Sequence, residues 1–160
     1  MIIKKGTVFK FGDNIDTDQI YPGRYLELTE HYNIANHAME GIDSQFSSKV
    51  NDGDIIVAGK NFGCGSSREH AVICLKETGI RTIIANSFAR IFYRNAINMG
   101  MPLVELSNAN KKFEEGDIIS VNIKEGYIEK KDGERYTFKP LPDYILNIIK
   151  LGAIINFYRK

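Results

Sequence analysis

The chain has 160 residues, 43% of them hydrophobic, with 21 Lys and Arg set against 20 Asp and Glu for a net charge of +1. That is the length and apolar content of one ordinary domain over residues 1–160, and the even scatter of charge excludes a basic face for nucleic acid or an acidic solvating arm. The two cysteines, Cys64 and Cys74, fit neither a disulfide framework nor a zinc motif; with no signal-peptide core after Met1 and no run of ~18 apolar residues, the expectation is a reduced, cytoplasmic protein without a membrane span.

In chain order, Thr7 to Phe11 has the alternation of a short strand, and residues 12–23 are turn chemistry throughout, a long loop near the N-terminus. Residues 29–40 carry a weak helical pattern, and Asn51-Asp52-Gly53-Asp54 is a turn into the apolar strand Ile55 to Ala58. A helix over Ala71 to Thr78 is closed by Gly79, and Arg81 to Ala85 is a second buried strand. Asn86 and Ser87 are placed to cap a helix from Phe88 to Asn98 that ends near Gly100, and Pro102 to Leu106 forms a third strand. This βαβαβ order predicts an α/β fold with a parallel core and right-handed crossovers. The last third changes character: a strand at Asp117 to Ile123, then a hairpin over Tyr127 to Phe138 turning at Asp132-Gly133, predicts antiparallel strands. A helix from Leu141-Pro142-Asp143 to Leu151 is interrupted by Gly152 before the apolar end at 153–158.

The most informative stretch is Gly63-Cys64-Gly65-Ser66-Ser67-Arg68-Glu69-His70, which joins the first core strand to its helix. It is not a dinucleotide fingerprint, because Arg68 stands where the third glycine belongs; it lacks the lysine of a phosphate loop and ends in Glu69 where a nucleophile elbow needs glycine. Ser66 and Glu69 have the spacing of a capping box, contributing roughly 1 kcal/mol to the helix. That role does not explain Arg68, a cation in the first turn that opposes the macrodipole by ~0.3–1 kcal/mol unless an anion meets it. Capping and anion binding are compatible, and the residues alone leave both open. Asp13, Asp16 and Asp18 lack the glycine and distant glutamate of a calcium loop. His31, His37 and His70 form no ligand spacing, and Arg90 and Arg94 share a helix face suited to ion pairing or to docking a partner.

Gly59 to Ala71, together with Asp16-Thr17-Asp18-Gln19-Ile20 and Ala85 to Ala96, closely resembles the small-subunit family of 3-isopropylmalate dehydratase, the swivel domain of the aconitase superfamily. The resemblance spans residues 1–160 in order and length, and it rests on three separate motifs. It implies a β/β/α three-layer swivel fold with a mixed sheet, and a partner large subunit, in a heterodimer or heterotetramer, that carries a [4Fe-4S] cluster. A cluster of this type takes three or four thiolates and this chain has two, so no metal is expected on it. The implied reaction is loss and re-addition of water on a malate-type acid, interconverting 2-isopropylmalate and 3-isopropylmalate in leucine biosynthesis. In that family Ser66 matches the base, Ser67 and Arg68 match substrate-binding positions, and Asp18 falls in a motif near the active site.

The same family places substrate choice in the loop Tyr25-Leu26-Glu27-Leu28. Homoaconitase relatives have arginine at the position of Glu27; a glutamate there repels a third carboxylate, and Leu26 and Leu28 suit an isopropyl group. Arg24 in the same loop is the competing cation. The alternatives are a small subunit of 2,3-dimethylmalate dehydratase or homoaconitase, or a non-catalytic carboxylate- or phosphate-binding domain.

Overall fold

Short, wholly apolar runs make stable strands only where both faces are covered, and the computed structural model, which describes residues 2–152, covers them. Strand β1 (Ile2–Lys10) lies parallel to β2 (Ile55–Ala58), β2 to β3 (Thr82–Ala85) and β3 to β4 (Leu103–Glu105). On the other side of β1, β5 (Ile118–Asn122), β6 (Tyr127–Lys130) and β7 (Arg135–Thr137) follow as an antiparallel meander. The seven-stranded order is therefore β4-β3-β2-β1-β5-β6-β7, with β1 serving both halves and its register against β5 shifting between Ile3 and Gly6.

Alternation along the parallel strands divides their side chains between two cores. Ile56, Ala58, Ile83 and Ala85 face a helical layer containing Val72, Leu75, Phe92 and Ala96, together with Phe46 and Met39 from the segment before β2. Val8, Ile55, Val57, Ile84 and Val104 face the opposite way, into a core completed by Ile119, Val121 and Ile128 of the antiparallel strands and by Phe113. One core shared by both halves of the sheet means that the halves lie face to face, and this gives the three layers β/β/α. Each fully buried Val, Ile or Phe contributes roughly 1.5–3 kcal/mol, which outweighs the small intrinsic preference of a four-residue strand.

Helix α4 (Glu69–Thr78) connects β2 to β3, and α5 (Arg90–Asn98) connects β3 to β4. Each has a buried stripe at helical spacing: Ala71, Val72, Cys74 and Leu75 in α4, and Phe92, Ala96 and Ile97 in α5. Helix α7 (Asp143–Leu151) buries Ile145 and Ile148 and packs on α5, and Lys76 binds this end together, its Nζ donating to Met99 O at 2.7 Å and Gly152 O at 2.9 Å. No helix among the described residues is long and apolar enough to cross a membrane.

Several local expectations are corrected. Residues 12–23 include a four-residue helix, α1 (Thr17–Ile20), and the 29–40 pattern yields only α2 (His31–Ala35) before irregular turns; α3 (Phe46–Lys49) and α6 (Ala109–Lys112) had no sequence expectation. Helix α5 begins at Arg90 rather than Phe88, and Asn86 and Ser87 do not cap it. Their side chains instead accept from backbone amides of other loops, Ser87 Oγ from Asn61 N at 2.9 Å and Asn86 Oδ1 from Asn108 N at 2.7 Å. The apolar stretch 153–158 lies outside the described residues.

Candidate active site

Parallel strands release their connecting loops at one edge, and ligands bind there in open α/β sheets. Here the loop after β1 supplies Ile15 to Asp18, the loop after β2 supplies Gly63 to Arg68, and the loop after β3 leads into Ala89 to Asn95. Backbone hydrogen bonds lock the middle loop between the other two. Gly63 N donates to Ile15 O at 2.7 Å, Thr17 N to Cys64 O at 2.8 Å, Phe62 N to Ser87 O at 3.1 Å and Ala89 N to Phe62 O at 3.0 Å. The stitching makes isolated parallel bridges at Asp16–Cys64 and Phe62–Phe88. Gly63 is required at its place: its φ is +86°, and a Cβ there would stand 2.2 Å from Phe92 Cγ.

The three loops enclose a cavity of about 420 Å³ lined by Ser66, Ser67 and Arg68, by Thr17, and by Arg90 and Arg94 on the first turns of α5. Ser66 and Ser67 are exposed, and Ser66 Oγ has Thr17 Oγ1 as a neighbour at 3.5 Å, the outer limit of a hydrogen bond. Ser66 does not cap α4, contrary to the capping-box expectation. The N-cap position belongs to Arg68, whose extended backbone (φ −139°, ψ 113°) starts the helix at Glu69, and no side chain caps this end. The first-turn N–H groups therefore keep the partial positive charge of an uncapped helix end beside Arg68. A capping box does form, one loop away: Asp16 Oδ1 accepts from Gln19 N at 2.8 Å while Gln19 Oε1 accepts from Asp16 N at 2.9 Å, which fixes α1 and the carboxylate of Asp18.

Asp18 orients Arg68. Arg68 Nη1 donates to Asp18 Oδ1 at 2.9 Å and to Tyr21 O at 3.1 Å, and Asp18 Oδ1 also accepts from Gly23 N at 2.9 Å. The Arg68 hydrogen bond, followed by that of Gly23, holds the Asp18 carboxyl below its usual range. Asp18 thus joins the site through Arg68 and is not part of the cavity wall. Tyr25, Leu26, Glu27 and Leu28 also lie off the wall, and their loop is tied to α4, since His70 Nε2 lies 3.0 Å from Leu28 O and the His70 ring stacks on Tyr21 at 5.2 Å between centroids. Tyr25 and Leu28 pack against the core, whereas Leu26 and Glu27 are exposed.

Thr17, Ile91 and Asn95 are wall residues without a sequence expectation, and Arg90 and Arg94, expected as ion pairs or a docking face, line the same cavity as Ser66. Neither arginine pairs with a carboxylate among the described residues. The signal for their place was the i, i+4 spacing of the two arginines at the start of a βα crossover; which strand edge the helix begins on is a tertiary fact. The donor set does not fit an iron–sulfur cluster. No group of three or more His, Cys, Asp or Glu among the described residues could hold a metal ion, and Cys74 is fully buried, its thiol pushed well up by burial and donating to Ala71 O at 3.2 Å. Cys64 is half-buried in the stitched loop.

A mixed α/β layer structure with an anion-suited cavity at the carboxyl edge of its parallel strands is the architecture of an aconitase-type swivel domain, and residues 13–109 match the aconitase C-terminal domain. The chain is 52% identical over 157 residues to the 3-isopropylmalate dehydratase small subunit 1 of Methanopyrus kandleri, covering 98% of this chain and 92% of that protein. It is also 52% identical over 156 residues to the 3-isopropylmalate dehydratase small subunit of Clostridioides difficile, covering 97% and 96%. Among solved structures, that of 3-isopropylmalate dehydratase from Methanocaldococcus jannaschii superposes with a TM-score of 0.93 at 44% identity, covering 99% of this chain and 94% of that one. The chain belongs to the family of 3-isopropylmalate dehydratase small subunits.

Proposed function

We propose that this chain forms half of the active site of a 3-isopropylmalate dehydratase, a hydro-lyase that interconverts 2-isopropylmalate and 3-isopropylmalate in leucine biosynthesis, and that a large subunit supplies the other half. The observation that carries the reading is the convergence of Ser66, Ser67, Arg68, Arg90 and Arg94 on one cavity at an uncapped helix end, in a chain about half identical to such small subunits over nearly its whole length.

The substrate is a dicarboxylate, and its charge suits that cavity. Arg68, aimed by Asp18 and the Tyr21 carbonyl, receives one carboxylate with the help of Ser67 and the first-turn amides of α4. Ser66 Oγ acts as the base. As the alkoxide it takes the proton from the carbon beside a carboxylate; hydroxide leaves the neighbouring carbon, and the product is an unsaturated diacid. Hydroxide then adds to the carbon that lost the proton, and Ser66 Oγ–H returns its proton to the carbon that lost the hydroxyl, which restores the alkoxide. A serine alkoxide is costly in water, and the uncapped helix end with the Arg68 guanidinium beside it is the preorganised positive environment that lowers that cost. The [4Fe-4S] cluster belongs to the large subunit in this reading, where it supplies Lewis acidity toward the departing hydroxyl. The isolated chain is then inert. Exposed Leu26 and Glu27 beside the site favour an isopropyl substituent over a third carboxylate.

The test is co-expression with a large subunit, anaerobic purification and assay on 2-isopropylmalate. Ser66→Ala is expected to lower kcat by roughly 10²–10⁴-fold while the complex still assembles and binds substrate. Full turnover by that variant would overturn the base assignment, and no turnover by the wild-type complex would overturn the function.

A further inference from the structure

The loop proposed to choose the substrate contains one cation, Arg24, between Tyr21 and Thr29. A free guanidinium there would welcome a third carboxylate as well as any arginine at position 27. Its backbone is near the chemistry: a Cβ on the adjacent Gly23 would stand 3.2 Å from Arg68 Nη2, so this turn passes directly over the Arg68 guanidinium. The side chain, however, points elsewhere. Arg24 Nη2 donates to Glu40 Oε1 at 2.8 Å, and its guanidinium carbon lies 4.7 Å from the Tyr25 ring centroid.

Glu40 is well placed to hold it. The Glu40 side chain is only 18% exposed, against 66% for Arg24, and it has two further partners. Tyr25 Oη donates to Oε1 at 2.8 Å, and His37 Nδ1 meets Oε2 at 2.5 Å. The His37 and Tyr25 rings stack at 3.6 Å with an interplanar angle of 12°. The carboxylate is thus a fixed anchor set in a packed cluster, and Arg24 is the exposed partner fastened to it. Burial raises the Glu40 pKa, but His37, Tyr25 and Arg24 together outweigh it and keep the group ionised.

We propose that Glu40 is a positioning residue that sets substrate choice by withholding Arg24 from the site, so that the loop presents Leu26 and Glu27 and no cation to the substrate's substituent. The proposal rests on the function proposed above. It predicts that releasing Arg24 admits a substrate whose substituent ends in a carboxylate.

The experiment uses the complex with its large subunit and compares kcat/KM for 2-isopropylmalate with that for homocitrate, a tricarboxylate. Glu40→Gln keeps the volume and the Tyr25 hydrogen bond while removing the charge. It is expected to raise the homocitrate-to-isopropylmalate ratio at least tenfold, through KM for homocitrate with kcat little changed. The double variant R24A/E40Q is expected to return the ratio to the wild-type value, which a general loosening of the loop would not do. Arg24→Ala alone, which does not depend on the Glu40 variant folding, is expected to leave the kinetics on isopropylmalate unchanged. An unchanged ratio in Glu40→Gln, or a raised KM for isopropylmalate in Arg24→Ala, overturns the inference while isopropylmalate turnover by the wild-type complex leaves the proposed function standing. A wild-type complex inert on isopropylmalate overturns both.

Discussion

Gly63 joins the site loop to α5 with no space between them, so Gly63→Ala tests whether that contact positions the cavity wall. Two costs arise. The residue has φ +86°, and placing an L side chain in that left-handed region costs roughly 1–2 kcal/mol. The new methyl would also stand 2.2 Å from Phe92 Cγ, 2.5 Å from its Cβ and 2.7 Å from its Cδ1. Phe92 has little room to retreat: it is 3% exposed, edge-on to Phe62 at 5.3 Å and stacked with Phe88 at 6.5 Å between centroids. Overpacking of this kind costs about 1–3 kcal/mol. A middle value of ~3 kcal/mol corresponds to a fall in Tm of about 6–12 °C for a chain of this size. Gly133→Ala separates the two costs, because Gly133 has φ +94° but an added Cβ meets nothing within 4 Å. There the conformational cost acts alone, and the fall should be about 2–8 °C. Scanning calorimetry on both variants makes the comparison. Equal shifts in the two would refute the steric part of the reasoning, and a shift below about 2 °C in Gly63→Ala would refute all of it.

Two further outcomes follow from the electrostatics. Asp18 is held below its ordinary value of 3.8, chiefly by Arg68, so its carboxyl in an NMR titration should have a midpoint under 3.8 that rises toward it in Arg68→Ala. Because the folded value is the lower one, the pair's contribution to stability is fully present above the unfolded pKa, neutral pH included, and is lost as pH falls through the folded one; near neutral pH it should add no pH dependence to stability. A midpoint unmoved by Arg68→Ala would refute the pairing. A thiol reagent at neutral pH should modify Cys64 in the folded chain and Cys74 only after denaturation, since Cys74 is completely buried with its ionisation disfavoured. Peptide mapping that finds both labelled at similar rates in the native state would show the α4 core to be open.

The parallel core was legible because its strands are buried on both faces, and runs such as Ile55 to Ala58 and Thr82 to Ala85 say so without any periodicity being needed. The hairpin was legible from Asp132-Gly133. Harder to see was the position of β1. Its residues read only as a short strand over Thr7 to Phe11, yet β1 lies between the parallel and antiparallel halves, and that placement depends on partners more than a hundred positions away in β5. The short helices were missed for a different reason. Segments of four residues such as α3 and α6 are held by tertiary packing of Phe46 and Ala109, and such lengths have no helical stability of their own. One of them did carry a local signal: Asp16-x-x-Gln19 is a capping box, overlooked because the surrounding residues are rich in turn formers.

At the site, the residue types were legible and their duties were not. The spacing of Ser66 and Glu69 suggests a stabilising cap, yet the N-cap falls at Arg68, which makes Glu69 the first helical residue rather than the third, and the capping interaction is made by Asp16 and Gln19 instead. This exchange has a physical logic. A hydroxyl spent on capping would neutralise the helix end and would itself be held away from a ligand. Moving the cap to α1 stabilises the element that carries Asp18, and Asp18 in turn holds Arg68, so the local stability is invested in the support of the guanidinium rather than in Ser66. Ser66 is left exposed, with a hydroxyl neighbour at 3.5 Å and an uncapped helix terminus behind it. Because no rule of sequence spacing separates a cap that forms from one that is displaced, this distinction required the backbone of Arg68, extended at φ −139°, to be seen.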